Sequence, residues 1–121
     1  MLNRRASGQR WEQEAEKFLR SKGLRTLKRN YHSRFGEIDL VMSDGEILVF
    51  VEVRYRKNSG YGSGADSVTP VKQQRIIQTA ERYLQQFKVH PSKVCRFDVI
   101  SISGEGQNTA TEWITDAFEV C

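Results

Sequence analysis

Two cysteines, two prolines and two histidines are all that 121 residues contain of these types. Cys95 and Cys121 stand far apart, in neither a CxxC pair nor a zinc-ligand spacing. That argues against a disulfide framework or structural zinc and suits two free thiols in a reducing cytosol. No apolar run approaches the ~20 residues that a membrane-spanning helix needs. Met1-Leu2-Asn3-Arg4-Arg5 is basic but lacks the apolar segment of a secretory leader, so a cytoplasmic location is expected. His32 and His90 fall in expected loops without a partner His or Cys, and read as surface residues. Residues 101–121 hold no Lys or Arg against four acids. There is no internal repeat, low-complexity tract or composition break, so 1–121 reads as a single domain, long enough to bury a core without staples.

What is present is basic charge at one end. Residues 1–36 carry ten Lys/Arg and three acids, which leaves +7 of a chain whose net charge is +4. Concentrated basic surface suits a polyanion such as nucleic acid, whose affinity comes largely from phosphate contacts, although a merely solvated basic face would look the same.

Trp11, Ala15, Phe18 and Leu19 recur at helical spacing, which predicts an amphipathic helix over 8–22, with Ser7 as N-cap, Gly23 at the end and Glu12 beside the apolar stripe. A strand is expected over 24–31, then a hairpin of strands near 35–43 and 46–56. Asp44-Gly45 between apolar runs is a strong hairpin signal. Taken as a two-residue turn, it sets Asp39 opposite Phe50 and Glu37 opposite Glu52. Alternation then puts Glu37, Asp39, Glu52 and Arg54 on one face, with Asp39 and Glu52 diagonal neighbours roughly 7–8 Å apart at the backbone. Carboxylates in so apolar a run need a compensating ion or partner.

Residues 57–67, rich in Gly and Ser, read as a flexible loop in contact with substrate. They lack the GxxxxGK[ST] pattern of a phosphate loop. Thr69-Pro70 opens a second helix, with Thr69 as N-cap. Its buried stripe is Ile76, Ile77, Ala80, Tyr83, Leu84 and Phe87, and Lys72 and Gln73 continue that stripe in polar form, aimed either into a site or out to solvent. Arg96–Ile102 reads as a buried strand and Glu112–Phe118 as an edge strand. Trp113, Ile114, Phe118 and Val120 suit a self-association surface or ordinary core equally well.

Two carboxylates on adjacent strands with a cation beside them fit a one-metal phosphodiesterase. Asp39 and Glu52 would hold Mg²⁺ or Mn²⁺, hard ions that prefer oxygen, with Glu37 to position the attacking water. Arg34, Arg56, Lys57, Lys72 and Gln73 are the candidates for nucleic-acid contact.

Gly36-Glu37-Ile38-Asp39-Leu40, the Phe50–Arg56 strand, Val68-Thr69 with Lys72, and Arg96-Phe97-Asp98-Val99 resemble the UPF0102 (YraN-type) family of small bacterial proteins. Gly8, Glu12, Ala15, Leu19 and Asn30-Tyr31 also match its pattern. That family is similar to the restriction-endonuclease-like superfamily and to archaeal Holliday-junction resolvases. The resemblance implies a single-domain α/β restriction-endonuclease-like fold, with an αβββαβ core and a mixed central sheet flanked by helices. It also implies a metal-dependent D…ExK nuclease site acting on DNA, branched or single-stranded, in repair or recombination. Asp39 and Glu52 match the metal-binding acids, and Glu12 an acid that can approach the same site. Arg54 stands where the family usually has Lys. Arg binds phosphate well but does not readily give up a proton, so Lys72 or Lys57 becomes the candidate for proton transfer. Three readings follow: a nuclease, working as a homodimer if it makes paired cuts; a nucleic-acid-binding module that kept the fold without turnover; or a structural ion network of Glu37, Asp39, Glu52 and Arg54.

Overall fold

In the computed structural model, residues 4–57 and 68–118 are described, with the side chains of 4–8 left aside. The order is α1 (Arg4–Ser21), β1 (Arg25–Ser33), β2 (Gly36–Asp44), β3 (Ile47–Arg56), α2 (Pro70–Gln86), β4 (Cys95–Glu105) and β5 (Asn108–Phe118). This is the expected αβββαβ core with a fifth strand added. The strands form one mixed sheet in the order β1-β2-β3-β4-β5. All neighbours run antiparallel except β3 and β4, which are parallel and joined through α2.

Alternation along β3 sorts the core into two layers. Leu48 and Phe50 pack with Ile76, Ile77, Ala80 and Tyr83 of α2. Val49 and Val51 pack with Trp11, Ala15 and Leu19 of α1. Phe50, 1% exposed, stacks on Phe97 and meets Tyr83 edge-on, so this one ring joins β3, β4 and α2. Phe118 is buried against Phe97, and Trp113 and Ile114 are half-buried in the two layers, so these C-terminal residues are core; Val120 lies outside the described residues.

Several sequence expectations need correction. α1 starts at Arg4, so Ser7 lies inside the helix and does not cap it. Gly23 does end it, with φ +98 and its N–H donating to Arg20 O. The β2–β3 pairing runs Asp44↔Ile47, Ser43↔Leu48, Val41↔Phe50, which makes Gly45-Glu46 the turn in place of Asp44-Gly45. Gly45 takes φ +58 at the first turn position, a conformation glycine adopts at no steric cost. Both Asp-Gly and Gly-Glu satisfy hairpin chemistry, and the two registers differ by two residues, so the faces are preserved while the partners change. Phe50 faces Val41, and Glu37 is not opposite Glu52. Phe87 sits one residue past α2 and is 46% exposed, although its ring still touches Tyr31 and Tyr83. β5 begins four residues earlier than expected. Residues 58–67 of the Gly-rich loop lie outside the described residues. Among the described residues, no helix is long and apolar enough to cross a membrane.

Candidate metal centre

The site forms where β2 and β3 part. Their pairing ends at Leu40↔Val51. Beyond it Asp39 turns its carboxylate into the gap, and Oδ2 accepts the Val53 N–H at 2.8 Å. On the other side the β1–β2 ladder passes over Asn30 and Asp39, and Asn30 has φ +50. This irregularity reverses the side-chain alternation between Ile38, which packs toward α2, and Leu40, which packs toward α1. Asp39 is therefore placed between the two layers, buried but within reach of side chains from both helices.

Glu12 arrives from α1. Trp11, the preceding residue, stacks on Tyr55 with ring centroids 4.1 Å apart, and the Tyr55 hydroxyl donates to Gly104 O at 2.6 Å. That packing fixes the helical turn that carries Glu12. Glu12 comes near enough to Asp39 and Asn30 for both to bear on its titration. Glu37, exposed at the mouth of β2, lies 3.2 Å from His32 Nδ1, its cross-strand partner in β1. Carboxylate oxygens of Glu12, Glu37 and Asp39 all lie within 4.8 Å of one another.

Glu52 is buried on the α2 side. Lys72 Nζ stands 2.8 Å from its Oε1, and Arg54 Nη1 lies 3.7 Å from the same oxygen. Thr69 holds the start of α2 by accepting the Lys72 N–H, so the N-cap also positions this lysine. Glu37, Asp39, Glu52, Lys72 and Arg75 line a cavity of about 460 Å³ between the strands and α2.

The electrostatics follow from this crowding. Burial, then the charge of Glu52, pushes the Asp39 carboxyl up to about 9; Glu12 and Glu37 push the same way, and the Val53 N–H opposes them. Burial foremost, with Glu37 and Glu52, also raises Glu12 above the usual carboxylate range, while Asp39 and Asn30 pull it down. Carboxyl groups crowded in this way hold protons more tightly than they would alone while no cation is bound. The donor set is all carboxylate oxygen. That suits a hard divalent cation and offers no soft ligand that would select zinc or copper.

The structure thus brings together Glu12, Glu37 and Asp39, with Glu52, Arg54 and Lys72 adjoining. Other candidates lie elsewhere or are engaged. Lys57 Nζ is 3.2 Å from Glu105, and Gln73 Nε2 donates to the Val68 carbonyl instead of entering the cavity. Arg56 is half-buried, and Arg34 is exposed with its guanidinium 4.9 Å from the Phe35 ring centre. His32, which read as a surface residue, is exposed but makes contact with Glu37. Sequence gave little signal for this, because the Arg34-Phe35 turn that brings His32 and Glu37 together lacks the usual Gly, Asn or Asp.

Comparison with known proteins shows the family. The model of the Uncharacterised protein family UPF0102 matches residues 11–102, a span that holds every residue of the cluster. A UPF0102 protein of Nitrosococcus oceani is 48% identical over 116 residues, covering 96% of this chain and 94% of that relative. One from Aeromonas hydrophila is 46% identical over 114 residues, covering 93% and 85%. A third, from Enterobacter sp. strain 638, is 43% identical over 118 residues, covering 97% and 87%. On that span and those identities, the chain belongs to the UPF0102 family.

Proposed function

We propose that this protein is a metal-dependent endonuclease that hydrolyses phosphodiester bonds in DNA. The observation that carries the reading is the convergence of Glu12, Glu37 and Asp39 within 4.8 Å, on a buried aspartate whose surroundings resist a bare negative charge. Such a cluster is relieved by a divalent cation, and Mg²⁺ or Mn²⁺ suits its oxygen donors. Glu12, Glu37 and Asp39 would hold the ion, which when bound would neutralise charge building on the scissile phosphate and acidify a water.

The chain's own groups supply the rest. His32 orients Glu37 at the mouth of the site. Glu52 anchors Lys72, and the Lys72 ammonium faces the same cavity as Asp39, where it can donate to a phosphate oxygen. Arg54 carries a fixed charge suited to stabilising phosphate oxygens and unsuited to proton abstraction. Lys72 is better placed for proton transfer than Lys57 because it lines the cavity with Asp39, whereas Lys57 lies against Glu105.

Arg54 also favours a second reading, a nucleic-acid-binding module without turnover. Cleavage of labelled single-stranded, duplex, flap and four-way-junction DNA with Mg²⁺ or Mn²⁺ separates the two. Cutting by wild type that is absent in Asp39→Asn is the result expected of the nuclease. DNA binding without cutting would favour the module.

A further inference from the structure

A second concavity, of about 750 Å³, opens beside the first. It lies between the end of β1 with its turn, Tyr31 to Phe35, and the outer face of α2 from Gln78 to Gln86. Phe35 lines both hollows, so they form one track along α2 that starts at the carboxylates. Three guanidinium groups border it: Arg75 in the first hollow, Arg34 and Arg82 in the second. All three are exposed, and among the described residues none makes an ion pair with a carboxylate. Cations outside ion pairs are what a polyanion needs, because each can neutralise a phosphate and release a counterion, and in the second hollow Arg34 and Arg82 outnumber the Glu81 carboxylate that also lines it.

The wall of the track is built. Ser33 Oγ lies 3.0 Å from Thr79 Oγ1 and accepts the Phe35 N–H at 3.0 Å, which ties the turn to α2. The Tyr31 hydroxyl donates to Gln86 at 2.7 Å. Lys72 to Arg82 spans ten residues of helix, roughly 15 Å of rise. That is about four phosphate steps at the ~3.4 Å spacing of a stacked strand. Phe35, half-buried with Arg34 over its ring, offers an aromatic face for a base, and Gln78 and Gln85 offer amides for base edges. The second hollow is of a size that suits a nucleotide or two of a single strand.

We infer that the groove between the Tyr31–Phe35 turn and α2 binds the single-stranded stretch of a nucleic acid next to the scissile phosphate, with Arg34 and Arg82 on its phosphates. This rests on the nuclease reading for its direction from the carboxylates, and names the substrate as one with an unpaired strand there.

The test measures binding without divalent cation, so that it does not depend on hydrolysis. Fluorescence anisotropy would follow a labelled 12-nucleotide single-stranded DNA and the matching duplex across a salt series. Wild type is compared with Arg34→Ala/Arg82→Ala and with Arg25→Ala/Lys28→Ala, which removes equal charge from the far end of β1; circular dichroism checks folding of each. Expected are tighter binding of the single strand than the duplex, and at least a fivefold loss in Arg34→Ala/Arg82→Ala. The log–log salt slope should fall by about 1.4, the value for two phosphate contacts on a single strand, with a much smaller loss in the control variant. Equal losses in both variants, or no loss in the groove variant, would overturn the assignment. Cleavage with Mn²⁺ is read separately. Groove-dependent binding with no cutting of any DNA removes the nuclease and leaves the groove; cutting without groove-dependent binding does the reverse.

Discussion

Asp39 and Asp98 are both buried aspartates in the central sheet, and both sit where a strand ladder lapses beside a residue of positive φ: Asn30 at +50 for the first, Asp116 at +51 for the second. Their neighbours are opposite in kind. Asp98 is surrounded by donors: Arg96 Nε and Nη2 at 3.0–3.2 Å, Trp113 Nε1 at 2.9 Å and the Asp116 N–H at 3.0 Å. Arg96 also reaches Asp44 at 3.1 Å, which ties β4 to the β2–β3 turn. Asp39 has one backbone donor, and Glu12, Glu37 and Glu52 crowd around it. A carboxylate surrounded by donors is complete as it stands and holds strands together. One surrounded by carboxylates is incomplete until a proton or a cation arrives. The same residue type beside a lapsed ladder is thus satisfied in one place and left short of partners in the other.

Removing each aspartate should separate these roles. Asp98→Ala leaves Arg96, only 17% exposed, with Asp44 as its remaining carboxylate and takes the acceptor from Trp113 Nε1 and the Asp116 N–H, and should cost about 3–5 kcal/mol in urea unfolding. A loss under about 1 kcal/mol would show that the donors around Asp98 are dispensable.

Asp39 should respond to pH in the opposite sense to an ordinary paired acid. Its folded value of about 9 lies above the usual 3.8, so the native state binds the proton more tightly than the unfolded chain. Stability is then full below the unfolded value and falls as pH rises through the folded one. With EDTA present, wild type should unfold at lower urea at pH 9 than at pH 6, and Asp39→Asn should flatten that slope and exceed wild type at pH 9. Parallel pH profiles would contradict the crowding argument.

Thr69→Ala removes the N-cap of α2 and should cost about 1 kcal/mol. Because the cap holds Lys72 against Glu52, DNA affinity should fall as well, whereas a cap with no tie to the site would lower stability alone.

The smallest effect belongs to Glu16. Hydrogen bonding to Arg29, then Thr26, holds its carboxyl below the usual range against the cost of burial. Its contribution is present above the unfolded value and lost as pH falls through the folded one, the reverse of Asp39. Since Arg29 is 59% exposed, Glu16→Gln should cost under about 1 kcal/mol at pH 7 and progressively less as pH falls below the usual carboxylate range.

Much of this was legible in the sequence because periodicity records burial. The apolar alternation of β2 and β3, the Thr69-Pro70 start of α2 and the Lys72 extension of its buried stripe all correspond to observed elements. Asp39 and Glu52 were readable as neighbours because a two-residue register error keeps the parity of the strands, while Glu12, on α1, was tied to them only by the family resemblance. The exact partners were not. Asp44-Gly45 and Gly45-Glu46 are competing turns that local chemistry does not rank. The Asn30–Asp39 irregularity, which brings Glu12 and Glu37 onto Asp39 and leaves Glu52 with Lys72, has no local signature beyond an asparagine. The pairing of Arg34 with Arg82 across a groove depends on how α2 packs against β1, and nothing within either segment records that.

The most direct test is calorimetric titration of Mn²⁺ into the protein at pH 7, in two buffers of different ionisation enthalpy. The account predicts saturable binding that releases protons as the carboxyl cluster gives up what it holds, with both binding and release lost in Asp39→Asn. Absence of binding, or binding unchanged in Asp39→Asn, would contradict it.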